Sequence, residues 1–149
     1  MCAVLEELGL AGLVTAIDGL TVTGAAAILA ETGDPARFAS PRALVKHAGL
    51  CPRDNAAGAF QGKTPISGRG RPRLRVAAWR AVWAALPSNP VIAARFTRLT
   101  TRDGNRLARQ QARTACAAAL LRWIHVVITR RVSWDPAIAA GGTPLQQAA

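Results

Sequence analysis

The sequence predicts an all-α domain, small and helical, opened by a helix-hairpin-helix-like unit and interrupted by a long loop rich in Gly and Arg. Three observations carry that prediction. Apolar residues recur at helical spacing through most of the chain, as where Leu74, Ala78 and Val82 share a face with the i, i+4 pair Trp79 and Trp83. Cap-then-proline signals at Ser40-Pro41 and Ser88-Asn89-Pro90 open two helices. Nothing in the remainder reads as a sheet of more than two strands, and 149 residues suffice for one domain with a sizeable core.

In chain order, residues 2–13 read as a short helix through Val4, Leu5, Leu8 and Leu13. Asp18-Gly19 then punctuates a helical hairpin whose second helix spans Thr23 to Glu31 and stops at Gly33. Ser40 and Pro41 start a helix running to His47. Residues 49–70 hold five Gly and two Pro without a sustained period, so a long loop or a short hairpin is expected, and long ordered loops are usually functional. Helices follow over Pro72–Leu86, from Pro90 to Thr101 and from Asn105 to Val132. Residues 1–36 form an acidic helical hairpin and 37–135 a basic helical part of one domain, with 136–149, containing Pro136, Gly141, Gly142 and Pro144, a disordered tail.

The charge is distributed in a step. Residues 1–36 contain five acids and no Lys or Arg, whereas 37–149 contain all 19 basic groups and three acids, giving −5 and +16 around a net +11. Such a field attracts polyanions, and 17 of the 19 cations are Arg, whose planar fork matches phosphate oxygens and base edges. A genome rich in G and C would also enrich Arg, Ala and Gly, so composition alone does not decide between a nucleic-acid partner and codon bias. Cys2, Cys51 and Cys116 form no paired zinc-ligand spacing with His47 and His125, which fits a reduced cytosol. The N-terminus lacks the positive region of a signal peptide, and the longest apolar run, 115–128, is interrupted by Arg122 and His125. It reads as a buried helix, with no membrane partner.

The densest motif is GRGRPRLR at 68–75, which puts Arg69, Arg71, Arg73 and Arg75 where the loop meets the next helix. Four guanidiniums at a helix start suit phosphate contact, against the alternative of a solvated basic loop. A second set, Arg98, Arg102, Arg106, Arg109 and Arg113, would draw a basic stripe if its helix were continuous, but Thr100–Gly104 is expected to break it. The turn IDGLTVTG offers Gly19 and Thr21 as a hairpin phosphate contact, although Asp18 and the missing second glycine favour a plain structural hairpin. No self-sufficient catalytic set stands out: Thr64 and Ser67 have no base nearby in sequence, and the eight acids form no close set for two metal ions.

Three segments, AAAILAETGDPARFASPRALVKHAGLCPRDN, GKTPISGRGRPRLR and LPSNPVIAARF, carry a resemblance across residues 12–135. Together they resemble the C-terminal transposase domain of the insertion-sequence one-ten family, the DEDD-type, bridge-RNA-guided serine recombinases of mobile elements. The resemblance implies a nuclease domain whose four acids bind Mg²⁺, a C-terminal domain supplying a serine nucleophile, and a structured guide RNA that pairs with donor and target DNA. It also implies action in multimers, as homo-oligomers or with full-length transposase, and a cytoplasmic, nucleoid-associated setting in bacteria. Two departures follow. The acidic domain is not among these residues, so no cofactor is expected in this chain. Where the family pattern Pro-x-x-x-x-Ser-Gly runs from Pro52 to Gly58, Ala57 stands at the serine position, and a methyl group cannot attack phosphorus. The expectation is a truncated domain, inactive alone, that binds DNA and guide RNA through Arg53, Lys63, Arg69, Arg71, Arg73 and Arg75. The alternatives are an interaction protein that modulates full-length transposase and a pseudogene remnant.

Overall fold

The computed structural model describes residues 2–53 and 65–140. Among these residues there are eight α-helices, one 3-10 turn and no strand beyond a single antiparallel bridge between Pro52 and Ile66. The all-α expectation holds.

The stretch read as one helix over 2–13 is two, α1 (Cys2–Glu7) and α2 (Ala11–Thr15). Gly9 divides them. At φ +63° its amide donates to the Glu6 carbonyl at 3.0 Å, and the Leu10 amide donates to the Leu5 carbonyl at 2.9 Å. This closure through a left-handed glycine turns Leu5 and Leu10 into the core together. α3 (Val22–Thr32) begins behind Thr21, whose hydroxyl accepts from the Gly24 amide at 3.0 Å.

A 3-10 turn (Pro35–Arg37) leads to α4 (Pro41–His47), which occupies the span its cap and proline predict, Ser40 Oγ accepting from the Ala43 amide. α5 (Pro72–Ala85) and α6 (Pro90–Thr101) also fall where expected. Asn89 caps α6: its Oδ1 accepts from the Val91 and Ile92 amides, each at 3.0 Å, while Nδ2 donates to the Asp18 carbonyl at 3.0 Å. This buried side chain therefore ties the α6 start to the first hairpin.

α7 (Arg109–Arg130) starts later than the sequence suggested, because Asn105 takes φ +52° and the Ala108 amide is held by Gln111 Oε1 at 3.0 Å. It is the centre of the fold, with α2, α4, α5, α6 and the 3-10 turn packed on it, while α3 packs on α5. Small residues let these neighbours approach: Ala112, Ala117, Ala118 and Ala119 are buried beside Leu120, Leu121, Ile124 and Val127. Length and apolarity alone would let α7 span a membrane, but 72% of its most apolar window is buried inside the fold. The expected disordered tail is corrected over its first residues. Asp135 caps a short α8 (Pro136–Ala139), Ile138 is buried against α7, and Trp134 lies 4.7 Å from the Trp123 ring centroid.

Candidate functional site

The site is built where the backbone returns to the end of α4. Gly49, at φ +72°, closes α4 as its amide donates to Lys46 and the Leu50 amide donates to Val45. Residues 50–53 then lie beside 65–68, with the Arg53 amide donating to the Pro65 carbonyl at 2.9 Å and the Ser67 amide to the Cys51 carbonyl at 2.8 Å. Of the two readings for 49–70, the described ends take the hairpin-like one. Gly70 crosses directly over the α4 terminus. A methyl group there would sit 2.4 Å from the His47 carbonyl oxygen and 2.5 Å from the Gly49 nitrogen, so only glycine fits.

This crossing separates the four clustered arginines. Arg75 turns inward, Nη1 donating to the Ala48 carbonyl at 3.0 Å and the Gly68 carbonyl at 3.4 Å. Arg71 reaches the end of α3, where Nη1 donates to the Glu31 carbonyl at 2.9 Å and Nε lies 3.5 Å from Glu31 Oε2. Both cations thus satisfy carbonyls at helix C-termini, where the helix dipole favours positive charge. Arg73 lines a separate, largely apolar groove between α3 and α5, beside Val76 and Arg80. Arg69 alone of the four lines the cleft described next. The sequence reading treated the four as one anion site; the fold distributes them over four places, because Arg71 and Arg75 are drawn to carbonyls remote in sequence while Arg69 and Arg73 line separate depressions.

The cleft lies between α4, the paired segments and α7, with a volume of about 1200 Å³. Five cations line it: Arg42 and Lys46 from α4, Arg53 and Arg69 from the paired segments, and Arg122 from α7. Among the described residues no carboxylate lines it, and Ser40, Ser67 and Cys51 supply its uncharged polar groups. Multiply charged anions are the natural complement of such a surface. Sequence reading found Arg53 and Arg69 but missed Arg42, Lys46 and Arg122. Arg42 and Lys46 lie in a helix recognised by its cap and proline, where nothing local marks them as site residues, and Arg122 interrupts an apolar run because it emerges at the cleft. Lys63 and Ala57 lie outside the described residues.

None of the remaining candidates among the described residues lines the cleft. The α6–α7 break separates Arg98 and Arg102 from Arg109 and Arg113. Arg113 is only 7% exposed, its guanidinium 3.6 Å from the Trp83 ring centroid, an arrangement in which the aromatic face supports the cation. Gly19, at φ +77°, faces Ser88 and Ala85 so closely that an added Cβ would lie 2.4 Å from Ser88 Oγ. With Thr21 capping α3 and the Asp18 carbonyl held by Asn89, the hairpin turn is engaged with its own protein. His47, on α4, packs against Phe38 and accepts from Arg37 Nη2 at 3.5 Å. Burial, then the charges of Arg37 and Arg71, hold its proton affinity below the ordinary histidine value. His125 is a core histidine, its Nε2 donating to the Phe38 carbonyl at 3.0 Å. No group of three His, Cys, Asp or Glu that suits a metal occurs among the described residues.

No curated protein matches the chain. Residues 11–97 match the sequence model described as the Transposase IS116/IS110/IS902 family, a span holding the hairpin, α4, the paired segments, Arg69 and α5. Since that span is more than half of the 149 residues, the chain belongs to this transposase family.

Proposed function

We propose that the cleft binds the backbone of nucleic acid, DNA first and a structured guide RNA beside it, as the non-catalytic part of a transposition machinery. The observation that carries this reading is the convergence of Arg42, Lys46, Arg53, Arg69 and Arg122 on one cleft with no carboxylate among its described lining residues. Backbone phosphates supply most of the affinity in such interfaces, and Lys and Arg release condensed counterions on binding them. Family membership favours DNA as the substrate.

Ala57 at the serine position motivates the second half of the proposal, that this chain forms no covalent link to DNA alone. Fluorescence anisotropy with labelled duplex and single-stranded DNA tests the binding: low-salt affinity is expected, with loss when the five cleft cations are replaced together by Gln. No affinity at low salt in the unmodified chain would remove the reading. Denaturing electrophoresis after incubation with DNA checks the inactivity, which a covalent adduct would contradict.

One observation favours a second reading, an interaction protein that joins full-length transposase. On α5, Val76 and Trp83 are 46% and 45% exposed, outside the cleft. Co-purification with a full-length family member separates this reading from simple nucleic-acid binding.

A further inference from the structure

Beside the cleft lies a second hollow of about 660 Å³, within the range of roughly 300–1,000 Å³ usual for small-ligand sites. It shares Pro52 and Arg122 with the cleft, so the two adjoin. Its walls differ in kind. Leu50, Ile66 and Leu107 give it an apolar lining, whereas the cleft is lined mainly by cations. Asn105 and Gln110 bring carboxamides that bond to no described residue, and Arg95 brings a cation.

Arg95 is the informative group. Its Nε is buried without a hydrogen-bond partner among the described residues. The cations nearest it in effect are Arg122 and Arg98, Cys116 being held as the neutral thiol by burial, and no carboxylate among the described residues offsets it. Burial lowers its proton affinity from the ordinary arginine value. A buried donor without a partner is costly, and Arg95, only partly buried as a residue, lines the hollow, where an entering acceptor would offset its charge.

We propose that this hollow takes one unstacked nucleotide of the strand whose phosphates lie in the cleft. The inference rests on the nucleic-acid reading above and adds a base-binding subsite to it. The apolar walls cover the faces of the base, while Arg95 and the carboxamides of Asn105 and Gln110 meet its polar edge. Arg122, at the junction, neutralises the phosphate where the strand passes from cleft to hollow. Guanidinium and carboxamide groups are the usual partners of base edges, and extruded bases are held in such apolar pockets.

The test uses the full chain and a short single-stranded oligonucleotide carrying 2-aminopurine at successive positions, with binding followed by anisotropy. Emission is expected to rise at one position when the strand binds, reporting an unstacked base. Leu107→Trp, which fills the hollow, should abolish the rise and weaken binding about tenfold. Arg95→Gln, checked for folding by circular dichroism, should do the same more weakly. An abasic residue at the reporting position should bind the original chain and Leu107→Trp equally. Binding with unchanged emission at every position overturns the pocket while leaving the cleft reading intact; no binding at low salt overturns both. Free guanosine monophosphate that restores the stacked signal identifies the site as one for the nucleotide itself, whereas a rise it leaves unchanged while Leu107→Trp also retains it overturns the pocket.

Discussion

Arg69 and Arg75 belong to one short run, yet they belong to different regions of the molecule. Arg75 lies inside the crossing of the chain over the α4 terminus and bonds to two carbonyls, while Arg69, on the other side of Gly70, opens onto the five-cation cleft. The difference teaches that a run of identical charges is not one site. An arginine that completes a helix end serves stability, and one that lines a cleft without a carboxylate among its described residues is available to a ligand.

The most damaging way to break this division is to remove the glycine that creates it. Gly70→Ala would force the crossing segments apart, and a loss of about 3 kcal/mol in unfolding free energy is expected by urea denaturation. Asn89→Ala provides a comparison remote from the arginine run. Losing the α6 cap and leaving the Asp18 carbonyl without its partner should cost about 2 kcal/mol, with the salt dependence of nucleic-acid binding unchanged. The direct contrast comes next: Arg75→Gln is expected to cost about 1.5 kcal/mol of stability through its charged hydrogen bonds. Arg69→Gln should stay within about 0.5 kcal/mol of the unmodified chain, as surface substitutions do. Equal losses would erase the distinction.

The smallest expected effect concerns His47, beside the inward arginines. Its folded form holds the proton less tightly than the unfolded form, so this contribution to stability is complete above the ordinary histidine value near about 6.5 and is lost as pH falls below it. A melting-temperature series through that window should decline on acidification, and His47→Gln should flatten the decline.

Most elements were legible because local chemistry specifies them. Ser40-Pro41 and Asn89-Pro90 delimit α4 and α6 by cap and fixed φ, and the apolar spacing of Leu74, Ala78 and Val82 reports the buried face of α5. Gly9 between Leu8 and Leu10 was a readable stop that apolar periodicity overrode. The short α8 carries the same cap-and-proline signal in Asp135-Pro136, which the Gly and Pro that follow at 141, 142 and 144 masked. The candidate site was half legible. Arg53 and Arg69 stood in a conspicuous basic loop, but Arg122 reaches the cleft from a helix far along the chain, and no local pattern joins it to Lys46. The surface reach of Arg71 and the inward turn of Arg75 depend on carbonyls of Glu31 and Ala48, partners brought near only once the chain has folded.

The central claim is that the cleft, rather than the arginine run as a whole, holds nucleic-acid phosphates. The slope of log affinity against log salt for single-stranded DNA tests it most directly, measured for the unmodified chain, Arg69→Gln and Arg75→Gln under conditions where all three are folded. Five cleft cations predict a slope of about −3.5, falling in magnitude by about 0.7 in Arg69→Gln and staying unchanged in Arg75→Gln. A slope near zero, or one that Arg75→Gln lowers and Arg69→Gln leaves alone, would contradict it.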